Sequence, residues 1–270
     1  MTVKPQRLIH RVFHFAIVAF FLFLNGCTDK STQNVNLKYG NPSNAGNGSK
    51  NYLIVKPSYA ISYSCKTGIA NWASWQLNRS WIGRIDRSDN FRLDPELPTD
   101  CYAANADVYR RSGYDRGHLV PSGDRTRNQT DNSDTFLMTN IIPQSRYNNR
   151  EAWRELEEYS RDLVFQGNEL YLVAGGKGTA KKIARSKITV PEFTWKVILV
   201  LEQPKAEINA DNSYTIAVWI PNSKQVANTD WRDYLVSIDE VEKKTGYNFF
   251  DQVPKPIQKK IEKLVYSYSG

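Results

Sequence analysis

The sequence predicts an α+β fold, one domain with a central antiparallel sheet flanked by helices. From Asn51 onward, segments rich in Val, Ile, Tyr and Trp recur between Gly, Pro, Asn and Asp punctuation, the mark of strands. Far fewer segments carry the 3.6-residue period of a helix. No internal repeat and no second linker divides the 270 residues, so one domain is the economical reading.

The elements follow in chain order. Lys4, Arg7 and Arg11 precede an apolar run from Val12 to Leu24, which at 13 residues is short of the roughly 20 that span a bilayer. Residues 1–26 therefore read as a cleavable export signal. The run ends in Leu24-Asn25-Gly26-Cys27, which resembles a bacterial lipobox with Cys27 as the lipidated residue. Asn25 is unusual in that motif, and an ordinary signal peptide with an incidental cysteine is the other reading. Both place the mature protein outside the cytoplasm, either membrane-anchored through Cys27 or secreted or periplasmic. Residues 27–50 are rich in Ser, Asn, Gly and Lys and read as a flexible linker.

The domain is expected over 51–270. Leu53, Val55, Tyr59, Ile61 and Tyr63 alternate with mainly polar neighbours, the period of a half-buried strand. Residues 71–77 suit a second strand, and Glu169–Ala174, Lys187–Leu201 and Tyr214–Ile220 are further strand candidates. Helices are expected over 149–165, over Ile238–Lys244 and over 256–264. The second has Ser237 and Glu240 spaced as a capping box and Gly246 just past its end, and the third has Pro256 near its start.

Export also bears on Cys65 and Cys101. An oxidising compartment favours a disulfide between them, with two free thiols as the alternative. Loss of Lys4, Arg7 and Arg11 with the signal takes the formal charge from +8 to +5. A moderately basic exported protein is compatible with a polyanionic substrate without requiring one.

His10 and His14 lie in the signal, which leaves His118 as the single histidine of the mature chain. That excludes zinc sites built on two or three histidines and any mechanism using a histidine pair. One histidine still suffices for a general base, since its ordinary pKa lies near neutrality, although a lone histidine is more often structural. Its neighbours favour chemistry. In Asp115-Arg116-Gly117-His118 the glycine permits close backbone approach, and the arginine offers a forked donor for phosphate.

Farther on, Thr135 to Gln144 suits a buried strand leading into a loop, followed by Asn148-Asn149-Arg150 and a helix. On one continuous helix Asn149, Trp153, Glu157 and Arg161 follow at steps of four and drift slowly around its circumference. Asn149, Glu157 and Arg161 then face one place, suiting a hydrated hard cation beside a phosphate. A solvated face with an ordinary Glu-to-Arg pair explains the same spacing. Between Asp107 and Arg161 every basic residue is arginine, which binds phosphate in a way lysine cannot.

These motifs together resemble the DNA/RNA non-specific endonucleases of the ββα-metal (His-Me finger) superfamily, and in particular the secreted sugar-non-specific nucleases of cyanobacterial type. The resemblance runs from about Asn51 to the C-terminus. It rests on Asn71 to Asn78, Arg87 to Arg92, Tyr114 to His118, Thr135 to Asn140 and Asn148 to Arg150. It implies a ββα-metal active-site motif with His118 as general base and Asn149 as the one direct protein ligand of magnesium, for which Mn2+ or another divalent cation can substitute. Glu157 is then the carboxylate that orients metal-bound water, and Arg87 the contact to the scissile phosphate. Arg116 and Arg161 become supporting arginines, and Asp115 and Asn140 supporting polar groups. The implied partners are DNA and RNA, single- and double-stranded, held through phosphates, together with a small inhibitor protein of the kind that blocks some relatives.

Two rival readings compete. A serine hydrolase would pair His118 with a residue such as Ser122, but no Gly-x-Ser-x-Gly elbow is present. A catalytically inactive nucleic-acid-binding surface lipoprotein on the same fold would keep the phosphate contacts without turnover. Trp72, Trp75 and Trp81 have the chemistry to stack on bases, although core packing is the commoner use of such residues.

Overall fold

The computed structural model describes residues 1–2, 34–204 and 206–268. Residues 3–26 of the expected export signal, and Cys27, lie outside them. The core is an eight-stranded antiparallel sheet in the order β1-β2-β3-β4-β7-β10-β11-β12. Its strands are β1 (Asn47–Gly48), β2 (Asn51–Val55), β3 (Ala60–Ser64), β4 (Ile69–Leu77), β7 (Glu169–Lys177), β10 (Phe193–Leu201), β11 (Ser213–Pro221) and β12 (Leu235–Val236). Two small hairpins stand apart, β5 (Asp115–His118) with β6 (Ile141–Gln144) and β8 (Lys181–Ile183) with β9 (Ile188–Val190). The helices are α1 (Gln129–Asp134), α2 (Trp153–Phe165), α3 (Ile238–Thr245) and α4 (Lys255–Ile261).

The sheet is covered on both faces, so its central strands are apolar on both sides rather than alternating. Along β10, Ile198 and Val200 join one core cluster with Trp75, Leu119, Ile142, Trp153 and Leu156. Trp195, Val197 and Leu199 join the other, with Ile238, Val241 and Ile261 from the C-terminal helices and Phe249 from the loop between them. The first face carries the β5–β6 hairpin and α2. Trp72, Trp75 and Trp81 are all buried, at 0%, 0% and 5% exposure, so they pack the core and present no face to bases.

Several sequence expectations need correction. The linker expected over 27–50 fails for residues 34–50. Leu37 is buried, the Ser74 hydroxyl donates to the Asn36 carbonyl at 2.6 Å, and the Gln76 amide donates to the Asn36 side chain at 3.1 Å. Polar composition misled there because asparagines take the place of apolar groups, bonding backbone that would otherwise be unsatisfied. The alternation over 53–63 is a hairpin, β2 and β3, and β3 is buried throughout. The long strand expected over Lys187–Leu201 divides into β9 and β10 around Pro191, and the helix over 256–264 ends at Ile261. At α3 the Ser237 hydroxyl caps the Glu240 amide, while the Glu240 carboxylate accepts from Lys244, so half of the capping box forms. Gly246 closes that helix with φ 79°. Cys65 and Cys101 form a disulfide.

The segment Thr135 to Gln144 is strand only over its last four residues, with a 3-10 turn at Met138–Asn140 before it. The helix over 149–165 is likewise interrupted. Asn148–Ala152 forms a π-helical turn in which Glu151 leaves helical geometry (φ −119°, ψ −107°), and α2 begins only at Trp153. The four-residue phasing from Asn149 therefore does not continue into α2, and Asn149 is placed by the turn instead.

Candidate active site

The β5–β6 hairpin brings Asp115-Arg116-Gly117-His118 onto the sheet. Gly117 is required here because a Cβ would lie within 1.8 Å of the Gln144 side chain on the facing strand. His118 is 9% exposed and set among aromatic rings, with Phe136 at 5.0 Å and Phe91 at 5.6 Å between centroids. Burial, then the positive charges of Arg87 and Arg116, push its pKa down to about 3, against a hydrogen bond with the Arg116 backbone that raises it. The imidazole is thus neutral at neutral pH. Its buried Nε2 has no protein hydrogen-bond partner, which leaves a lone pair available to a proton donor.

Two arginines flank this ring. Arg87 lies over the Phe136 ring at 4.8 Å, donates to Ser122 Oγ at 3.0 Å and pairs with Asp89 at 2.8 Å. Arg116 is exposed and lies over Phe91 at 4.1 Å. Ser122 therefore serves as an acceptor for Arg87, and no hydrogen bond joins it to His118 among the described residues, which removes the support for a serine nucleophile.

Asp115 organises the neighbouring side chains. Its carboxylate accepts a forked pair from Arg150, at 2.7 and 2.8 Å, and one bond from Asn149 Nδ2 at 3.0 Å. Burial alone raises the Asp115 pKa, but these hydrogen bonds and the Arg150 and Arg146 charges outweigh it and hold the carboxylate ionised. With its amide nitrogen turned to Asp115, Asn149 keeps its carbonyl oxygen for another partner. The preceding Asn148 anchors the π-turn, donating to Thr194 Oγ1 at 2.7 Å.

On α2, Arg161 donates to Asp124 Oδ1 at 3.0 Å, and Trp75 Nε1 donates to Asp124 Oδ2 at 3.0 Å. Glu157 lies in the same group. Burial raises its pKa, Lys196 lowers it, Asp124 raises it and Arg161 lowers it. A cleft of about 390 Å3 is lined by Arg87, Phe91, Tyr109, Arg110, Asp115, Arg116, Asn149 and Arg150. His118 sits behind its Arg87, Phe91 and Arg116 wall. Glu157 and Arg161 also lie outside the cleft lining.

Asn140 has a different place. Its amide donates to the carbonyls of Val120 and Thr135, both at 2.9 Å, and its oxygen accepts from the Val120 amide at 2.9 Å. It is fully buried and clamps the chain two residues beyond His118, away from any ligand. The arginine-only stretch also divides. Arg125 is wholly buried, bonding the carbonyls of Ser58, Asp124 and Gln76, while Arg127 pairs with Asp131 and Arg154 with Glu158. Asp124 and Lys196 escaped the sequence reading, Ser122 entered it only as a rival nucleophile, and Phe91 and Phe136 lay inside quoted motifs without a role. Asp124 carried one signal, its nearness to His118 in the chain.

Comparison with known proteins gives the family. Residues 34–256 match the family model described as DNA/RNA non-specific endonuclease. The chain is 45% identical to a nuclease of Nostoc sp. over 92% of its length and 96% of that protein. It is 31% identical to human mitochondrial endonuclease G, covering 80% of this chain and 73% of that one. A crystal structure of EndoG complexed with EndoGI, concerned with EndoG inhibition, superposes with TM-score 0.70 at 25% identity, covering 85% of this chain and 95% of that one. The chain belongs to the DNA/RNA non-specific endonuclease family and is a nuclease with the ββα-metal fold.

Proposed function

We propose that the protein is an exported, magnesium-dependent nuclease that hydrolyses DNA and RNA to 5′-phosphate and 3′-hydroxyl ends, with His118 as general base. The observation that carries this is the neutral, partnerless His118 Nε2 set between two arginines. A phosphodiester is anionic and repels hydroxide, so a neutral imidazole with a free lone pair suits removal of a proton from water. The bound phosphate's negative charge offsets the arginine charges that hold the His118 pKa down. His118 takes the proton of the attacking water, while Arg87 and Arg116 bind the phosphate oxygens and stabilise charge as it develops. The same contacts address backbone rather than base edges, so selectivity for sequence and for sugar is weak.

The residues present fit a hard divalent cation. The Asn149 carbonyl oxygen, its amide held by Asp115, is a neutral oxygen donor facing the cleft, the type that magnesium accepts while keeping most of its water. When bound, the cation stabilises charge at the leaving 3′-oxygen. Asn149 would hold it, and Glu157, backed by Arg161 and Asp124, would accept hydrogen bonds from its hydration shell. Mn2+ or another divalent cation is expected to substitute.

Export is proposed from the signal-like residues 1–26, with anchoring through Cys27 if that cysteine is lipidated. A protein inhibitor is proposed by analogy with the inhibited EndoG structure. The test is digestion of supercoiled plasmid and of RNA with magnesium or EDTA. Folded protein that cleaves neither substrate with any of several divalent metals refutes the proposal.

A further inference from the structure

Lys196 lies on a central strand of the sheet and is 1% exposed, yet its Nζ has no hydrogen-bond partner. Alternation along β10 turns Lys196 to the same face as Thr194, Ile198 and Val200, the face that carries the active site. Its ammonium rests over the Trp153 ring at 4.2 Å from the centroid and lies farther from the Trp75 ring, at 5.8 Å. The buried Trp153 Nε1 is turned to the Glu157 carboxylate, one turn along α2, a contact that lowers the Glu157 pKa. A buried ammonium without an acceptor is costly unless a charge nearby needs it.

The charged groups around Lys196 come from three elements: Glu157 and Arg161 on α2, Asp124 from the turn after His118, and Lys196 itself on β10. Asp124 is already committed to Arg161 and Trp75. With all four ionised the group is neutral, two carboxylates against two cations. Removing Lys196 leaves one buried negative charge without a counter-charge, and the carboxylate with fewer fixed partners is Glu157.

Resting on the proposed nuclease mechanism, we propose that Lys196 is a positioning residue. Its buried ammonium, held by the Trp153 face one helical turn from Glu157, keeps the Glu157 carboxylate charged for its role beside the hydrated cation. Lysine suits this place because a compact charge on a slim stem fits between tryptophans and is stabilised by their faces. Burial favours the neutral forms of both Lys196 and Glu157, so the charged arrangement depends on each partner retaining the other.

The test compares wild type, Lys196→Met, Glu157→Gln and the double variant. Plasmid cleavage is followed against pH, and Mn2+ binding is followed by electron paramagnetic resonance. Lys196→Met is expected to lose activity at least about tenfold, to move the acid limb of its pH profile upward and to bind Mn2+ more weakly. The double variant is expected to be little worse than Glu157→Gln alone, as for two residues acting through one interaction. If Lys196→Met fails to fold, Lys196→Gln takes its place. In folded wild type and either folded variant, 13C-carboxyl NMR of metal-free protein reads Glu157 directly, and its titration is expected to move upward without Lys196. An unchanged pH profile and Glu157 titration, or losses that multiply in the double variant, overturn the inference. Full activity in Glu157→Gln overturns the mechanism beneath it instead.

Discussion

Asp115 holds Arg150 through both of its carboxylate oxygens, at 2.7 and 2.8 Å, and through one of them also holds the Asn149 amide. A single carboxylate thus fixes which end of the Asn149 side chain is free. Asp115→Ala is expected to weaken magnesium affinity rather than abolish cleavage, with the half-saturating metal concentration rising about 10- to 100-fold. Metal titration of plasmid cleavage measures it, and an unchanged metal requirement would show that Asn149 does not need this partner.

Asn140 acts on stability. Its three hydrogen bonds all go to buried backbone, so Asn140→Ala leaves the Val120 amide and two carbonyls unpaired. A loss of about 2–4 kcal/mol is expected. Urea unfolding checks it. A variant of normal stability but no activity would place Asn140 in the chemistry instead.

The fold class was legible because strand composition and turn residues repeat along the chain, and the motif around His118 was legible because its chemistry is local in sequence. What stayed hidden depends on long-range contacts. Nothing near Lys196 in the chain announces that it lies under Trp153, and Phe91 and Phe136 meet at His118 only through folding. The π-turn at Asn148–Ala152 was invisible for another reason. Its sequence has the helical period, and the kink is imposed by tertiary bonds such as Asn148 to Thr194 and Glu151 to the Asn228 amide. Residues 34–50 misled because asparagine hydrogen bonds, beside the burial of Leu37 and Ala45, tie them down.

His118 makes stability depend on pH in a definite direction. Its folded pKa is depressed to about 3 from 6.5, so the unfolded chain binds the proton first as pH falls. The contribution is complete above about 6.5 and is lost progressively as pH falls toward 3. His118→Gln, which removes the titration, is expected to flatten this decline between pH 6.5 and 4 in urea midpoints. Parallel curves for the two proteins would mean that His118 titrates normally.

The Cys65–Cys101 disulfide closes a loop with a sequence separation of 36 that contains Arg87 and Phe91. On loop entropy alone its removal is expected to cost about 4 kcal/mol. The double variant Cys65→Ser and Cys101→Ser is expected to unfold at lower urea while retaining cleavage at low temperature. An unchanged urea midpoint would show that the loop is held by its other contacts.

The central claim is that His118 is the base of a metal-dependent nuclease. Its most direct test is cleavage of supercoiled plasmid and of RNA by folded wild type and by folded His118→Ala, each with magnesium and with EDTA. The account predicts magnesium-dependent loss of both substrates by wild type and a fall of at least about a thousandfold in the variant. Comparable cleavage by His118→Ala would contradict it.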